Sequence, residues 1–492
     1  MSPGDRLPRV LPWIVQGALL VAGVLAAWHA RNSIPDDGFI VLRVVRHWIA
    51  GHGPYFNVDD PSVQVVTSPL NLLLLTLLAQ ATRLFGVSVG DAPVLAAQIL
   101  FLVTLPAVGW LSYSLVAGGR RELGAEMGGF LAGLSAILIC ANAYVVGLET
   151  ALVFALILAS LLAFRRERWV LTSSLLGLAF LARHDVAILV GLITVWYASR
   201  AEPGARVQAG LAFLRPFVLI AVVWIGYSTI AFGKPVPDTL AAKMAQGGSP
   251  YWPEPYWWGL GRLPAFFDAS SLGTTILALF LVLAAVALFA KRSPSRLEMG
   301  LLFAYSLLHL VLYTLLGIPI YHWYYLAYAL ALCVLAGSGI AAIPGRWLGG
   351  LLGFGIAMLA LVARGAVLTS DLPWETRFQP YREAGEYLDQ HPAKRVGMSE
   401  IGIIGYYAPN VEVFDFSGIA TPEQRPRIAA GRATEWLGQD EGLPDKVVTR
   451  GEKHPLEPDF DPRFETLYEL EQEFPYRNDG SMTVQIWRLR AP

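Results

Sequence analysis

Two adjacent carboxylates, Asp36 and Asp37, stand in the stretch RNSIPDDGFIVLRVVRHWIAGHGPYFN, directly after an apolar run close to the length of a membrane helix. A carboxylate held at a membrane boundary can take a proton from a hydroxyl, or it can simply cap a helix. After Pro35, either aspartate can cap a helix whose apolar positions Val41, Val44, Val45 and Trp48 follow i, i+3, i+4, i+7. Phe39, Arg43, Arg46 and His47 share its opposite face, so this helix is expected to lie in the plane of the membrane interface. One cap accounts for one aspartate and leaves the other for chemistry.

On the expected outer side of the apolar runs the further ionisable candidates form a short list. Glu149 lies in VVGLETALVF, the trio Arg183, His184 and Asp185 in LARHDVA, Lys234 and Lys243 in FGKPVPDTLAAKMAQ, and His322 in YHWYY. Each has a plainer reading: a carboxylate or lysine solvated at the interface, a self-paired hairpin tip, a member of an aromatic belt. Together they offer carboxylates and cations to one cavity. An acidic base can deprotonate a sugar hydroxyl while cations neutralise a phosphate departing from an anomeric carbon. A membrane enzyme would take that phosphate from a lipid.

The elements that must position these residues follow from composition and charge. Of 492 residues, 55% are hydrophobic and 15% charged, which places the chain in the membrane class. The net charge of -1 suggests no nucleic-acid partner. Cys140 and Cys333 lie inside apolar runs, offer neither a disulfide framework nor a zinc spacing, and read as packing residues. Apolar runs at 11–28, 93–117, 128–146, 148–164, 169–183, 186–199, 216–232, 271–290, 299–317, 323–343 and 346–366 give about eleven spans. The first could instead be a cleaved signal peptide.

Basic residues decide the topology. With Arg6 and Arg9 cytoplasmic, and with the apolar stretch from Ser68 to Gly86 kept outside as an interfacial or re-entrant helix, every basic short loop falls inside. These loops are GGRRE, RRER, the Arg200 to Arg215 connection, KRSPSR and Arg346. The stretch from Trp169 to Ala198 then reads as a hairpin of two short spans with Arg183, His184 and Asp185 at its outer tip, above a recessed cavity. The first outer loop covers residues 29–92, and the membrane domain residues 1–366. Residues 367–492 change abruptly in composition, with a helix-like YREAGEYLDQH and strand-like RVGMSE and VEVFDF, and read as a small extracytoplasmic α/β domain.

Six segments, DDGFIVLRVVRHWIAGHGPYFNVDD...VVTSPLNLLLL, GLETAL, GLAFLARHDVAILV, FGKPVPDTLAAK, YHWYYLAY and IGIIGYYAPNVEVFDFSGI, resemble in this order the signatures of GT-C-fold glycosyltransferases that use polyprenyl-phosphate sugars. Among these the chain looks most like the bacterial branch of terminal arabinofuranosyltransferases. The resemblance implies an acidic pair in the first outer loop with one carboxylate as general base, which maps onto Asp36 and Asp37. His184 stands where that family usually has proline.

The resemblance implies an inverting transferase of the bacterial plasma membrane. It would move a sugar, arabinofuranose by this branch, from a polyprenyl-phosphate donor to a cell-envelope glycan, lipid or protein at the outer face. Asp36 is expected as base and Asp37 as its helper. Arg183, His184, Lys234, Lys243 and His322 would hold the donor phosphate, Arg43 would orient the acid pair, and Glu149 would bind sugar hydroxyls. No metal or other cofactor is required, because side chains can neutralise the single phosphate. Two other readings remain: a transporter or flippase of an anionic or lipid-linked sugar, although no paired halves are visible, and a carbohydrate-binding domain on a membrane anchor, although an anchor needs fewer spans.

Overall fold

The computed structural model describes residues 10–490 apart from 59, 61, 121, 291–294, 366–373, 439–441, 452–454 and 477–478. Arg6, Arg9, Arg121, most of KRSPSR and the expected domain boundary at 366/367 lie outside the described residues. Eight described helices are long and apolar enough to cross a membrane. They are Leu11–Ala30, Ala92–Ala117, Leu123–Ala141, Pro203–Phe232, Ser271–Phe289, Arg296–Leu315, His322–Ala342 and Trp347–Arg364. Three further expected spans are present as shorter apolar helices, Thr150–Arg165, Trp169–Ala182 and Ala187–Ser199. A further short apolar helix of the same length class, Pro69–Leu84, occupies the stretch expected in the first loop.

In chain order the helices used below are α1 (Leu11–Ala30), α2 (Asp36–Ile49), α3 (Pro69–Leu84), α4 (Ala92–Ala117), α5 (Leu123–Ala141), α6 (Thr150–Arg165), α7 (Trp169–Ala182), α8 (Ala187–Ser199), α9 (Arg206–Phe232) and α10 (Asp238–Gly247). They continue with α11 (Leu263–Phe267), α12 (Ser271–Phe289), α13 (Arg296–Leu315), α14 (His322–Ala342), α15 (Arg346–Gly365), α16 (Trp374–Gln390) and α17 (Ile403–Tyr407). Helices α5 and α14 form the centre of the bundle. Gly128 and Gly337 meet there so closely that a Cβ on either would stand 2.3 Å from the other's carbonyl oxygen. Small residues let two helices approach in this way when lipid supplies no hydrophobic drive between them.

Beyond the bundle, a five-stranded sheet has the order β2 (Glu412–Asp415), β1 (Arg395–Met398), β3 (Lys446–Thr449), β5 (Asp479–Leu489), β4 (Tyr468–Tyr476). The first three strands are parallel, with Val396 opposite Val413 and Gly397 opposite Val447. The last two run antiparallel, with Val448 opposite Ile486. Helix α17 belongs to the connection between β1 and β2, as a parallel pair requires a crossover.

Helix α2 departs from the expectation of an interfacial helix. Its polar face is covered by the sheet domain, and Gly38 to Val45 are all buried. Arg43 donates to the carbonyls of Ala408 (3.0 Å) and Val411 (2.7 Å), and also to Gly405. Arg46 donates to Tyr406 (2.5 Å), and a His47 ring nitrogen lies 3.1 Å from the Pro409 carbonyl. Asn57, just beyond the helix, gives an N–H to Val413 and accepts one from it. An amphipathic helix looks the same in sequence whether its polar face meets headgroups or a folded domain. Here it meets a domain.

Candidate active site

The two aspartates have separate partners. Asp36 accepts the backbone N–H groups of Gly402 (2.9 Å) and Ile403 (2.7 Å). It satisfies orphan donors where α17 begins and makes no capping bond to its own helix. Burial and the neighbouring Glu400 raise its pKa well above the usual value, while the two N–H donors pull the other way. The docking is tight. A Cβ on Gly402 would stand 1.8 Å from the Asp36 carbonyl oxygen, a backbone atom. Gly402→Ala should therefore displace the sheet domain from α2, visible as faster proteolysis of that domain with the bundle left intact.

Asp37, one residue on, is half-buried, and among the described residues its carboxylate receives no hydrogen bond. Burial raises its pKa, and the positive charges of Lys243 and His322 partly oppose this. His322 begins α14, with Nε2 buried and, among the described residues, without a partner. Lys243, on α10, is buried with its Nζ 3.6 Å from the centre of the Tyr321 ring and, among the described residues, pairs with no carboxylate. Its neighbour Gln246 donates to the Ser417 carbonyl of the sheet domain and accepts from the Tyr321 hydroxyl.

Lys243, though neither Asp37 nor His322, lines a cavity of about 410 Å³ together with Glu149, Arg183, His184, Asp185, Tyr313 and Tyr324, with Phe180, Ile225 and Leu240 among its apolar walls. Arg183, His184 and Asp185 occupy the tight turn between α7 and α8. Arg183 is held by Asp185, Nε at 3.0 Å and Nη2 at 2.6 Å from Oδ2. Its Nη1 lies 3.7 Å from Glu149, and the guanidinium carbon stands 5.4 Å from the Tyr324 ring centre. Asp37 and Glu149 are close enough for Asp37's charge to act on Glu149.

The structure thus gathers Asp37, Glu149, Arg183, His184, Lys243 and His322 around one region, and it places Asp36, Arg43 and Lys234 elsewhere. Arg43 is 1% exposed, bound to backbone carbonyls, and does not touch the acid pair. Lys234 pairs with Asp238 at 2.9 Å, which also takes Arg425 of the sheet domain at 2.9 Å. Asp238 further accepts from the Gln64 backbone, so this group ties the first loop, α10 and the sheet domain together.

Sequence reasoning missed the polar cluster behind Arg183. Asp185 also accepts from Tyr313 (2.8 Å), Tyr305 (3.3 Å) and His309 Nε2 (3.1 Å). The signal was present in YSLLHLVLY, where Tyr305, His309 and Tyr313 recur every four residues on an otherwise apolar span.

A second cavity, of about 310 Å³, is almost wholly apolar, with Trp48, Leu72, Leu73, Leu181, Ile220, Val223 and Tyr227 in its walls. It adjoins the first, since Phe180 and Leu181 are consecutive residues facing one each.

No protein-family profile matches the chain. A segment of 67 residues, 13% of the chain, is 45% identical to a terminal beta-(1->2)-arabinofuranosyltransferase of Corynebacterium glutamicum, and it spans 10% of that relative's length. Among solved structures, the cryo-EM structure of a mutant of the arabinofuranosyltransferase AftD from mycobacteria aligns with 99% of this chain and 42% of its own, at 14% identity and a TM-score of 0.49.

Proposed function

We propose that the protein is an inverting glycosyltransferase that moves arabinofuranose from a polyprenyl-phosphate donor to a cell-envelope glycan or protein acceptor at the outer face of the bacterial plasma membrane. The observation that carries this reading is the Asp37 carboxylate. It is free of hydrogen bonds among the described residues and feels the positive charge of Lys243, which lines a recessed cavity. The similarity of the 67-residue segment to an arabinofuranosyltransferase supports the choice of sugar.

In the proposed reaction the acceptor hydroxyl attacks the anomeric carbon from the face opposite the phosphate. A new C–O bond forms as the C–O bond to phosphate breaks, the hydroxyl proton passes to Asp37, and polyprenyl phosphate leaves. Lys243 and Arg183 would neutralise that phosphate, with His184 and His322 as hydrogen-bond donors to it, and preorganised cations act strongly where water is excluded. Glu149 would accept hydrogen bonds from sugar hydroxyls. Charge neutralisation falls to side chains in this scheme, which needs no metal. The adjoining apolar cavity suits the start of a lipid chain. Asp36, Arg43 and the Asp238 group would hold the sheet domain, residues 367–492, over the membrane domain, residues 1–366. The domain's contacts with α2 and α10 support this arrangement.

Purified full-length protein incubated with a panel of polyprenyl-phosphate sugars and arabinan oligosaccharides tests the reading by mass spectrometry of the acceptor. Addition of one pentose from the arabinose lipid is the expected result. An acceptor left unmodified by every lipid donor would refute the reading.

A further inference from the structure

The Asp185 cluster contains more than a salt bridge needs. The side chains of Arg183 and Asp185 are 10% and 4% exposed, and an ion pair shielded in this way holds only when the remaining lone pairs and protons are also satisfied. Asp185 accepts from Arg183, Tyr313, Tyr305 and His309. The Asp185 carboxylate can only accept, so His309, itself 1% exposed, carries a proton on Nε2 aimed at it, while Nδ1 lies 2.6 Å from the Tyr328 hydroxyl. Tyr256 stands behind, its hydroxyl 3.4 Å from that of Tyr328. His309 stacks on Tyr313 with ring centres 4.0 Å apart, which fixes the imidazole plane. Helices α13 and α14 and the α7–α8 turn are thereby tied to one carboxylate.

We infer that His309, oriented by Tyr328, is a positioning residue that holds Asp185, and through it the Arg183 guanidinium, in the orientation that receives a lipid-linked phosphate. The inference rests on the proposed role of Arg183. Neither His309 nor Tyr328 lines the cavity, so both act through Asp185. A network with one partner removed loses the orientation of all its members, since each bond fixes the next. The geometry assigns Nη1 of Arg183, the amino group turned toward Glu149 and away from Asp185, to the phosphate.

The test uses full-length protein and two readouts: transfer kinetics, and direct binding of sugar-free polyprenyl phosphate followed by tryptophan fluorescence. His309→Phe should raise the donor KM and weaken polyprenyl phosphate binding by about tenfold, the cost of one hydrogen bond to a charged group. The acceptor KM and kcat should change by less than about twofold. His309→Gln keeps an N–H that can reach Asp185 and should recover most of the loss. Tyr328→Phe removes a single hydroxyl, preserves the packing, and should show the same donor-specific effect at about threefold. Donor affinity unchanged in Tyr328→Phe, or a Gln variant no better than Phe, would overturn the inference, as would a wild type that does not bind polyprenyl phosphate. A wild type that binds the lipid in a His309-dependent way but transfers no sugar would leave the inference standing and remove the transferase reading.

Discussion

Asp37→Asn should lower kcat for glycosyl transfer by about 10²–10⁴-fold, the usual contribution of a positioned general base. The substitution is nearly isosteric and removes no hydrogen bond made among the described residues, so folding and donor binding should be preserved. Asp36→Asn has a different expected outcome. An amide offers one oxygen where the carboxylate offers two, so one of the N–H groups of Gly402 and Ile403 loses its acceptor. The expected cost is about 1–3 kcal/mol of docking stability with transfer reduced far less. The purified variants, compared by initial rates and by thermal unfolding, separate the two roles. The resemblance left base and helper open between the two residues. Asp36 was expected as the base, and its docking contacts are the reason the proposed reaction gives that role to Asp37 instead.

The second large effect concerns Arg43, where Arg43→Ala should destabilise the docked state by about 3–5 kcal/mol. Its guanidinium donates to Phe56 (2.9 Å), Ala408 (3.0 Å), Val411 (2.7 Å) and Gly405, all backbone carbonyls, and lies over the Phe56 ring at 4.8 Å. Burial and nearby Arg46 bring its pKa down to about 9, which still leaves it charged at neutral pH. A buried charge needs compensation, and here carbonyl dipoles supply it. Truncation would orphan four acceptors at about 1–3 kcal/mol each, part of which entering water recovers. A lysine has three donors on one nitrogen and should fall between the two. Thermal unfolding in detergent, followed by limited proteolysis at the sheet domain, measures this. Unchanged stability in Arg43→Ala would show that the domain is held by its apolar contacts alone.

What could be read in advance followed the range of the interactions involved. The spans were legible because twenty apolar residues in a row have few soluble alternatives. The α7–α8 hairpin was legible because Trp169 to Ala198 is too long for one crossing and has basic residues at both ends. Glu149, Arg183, His184, Lys243 and His322 stood out as polar groups at membrane depth, where each needs a reason. The fates of Asp36 and Arg43 were not legible, since apart from Phe56 their hydrogen-bond partners lie more than 350 residues away. A carbonyl or an N–H leaves no mark in a side-chain sequence. Lys234 differs again: its partner Asp238 is only four residues on, in KPVPD, so the pair is legible in the sequence. His309 was passed over because a lone histidine in an apolar helix reads as packing until the tyrosines at four-residue spacing are set beside it.

The measurement that bears most directly on Asp37 as base is the pH dependence of kcat/KM for transfer, in wild type, Asp36→Asn and Asp37→Asn. Burial raises the Asp37 pKa, and the base must be ionised to act. Activity should therefore rise with pH through a midpoint above the ordinary aspartate value of about 3.9. Asp36→Asn should keep that acid limb, and Asp37→Asn should lose it together with nearly all activity. An Asp37→Asn protein that transfers sugar at near wild-type rates with the same acid limb would contradict the account.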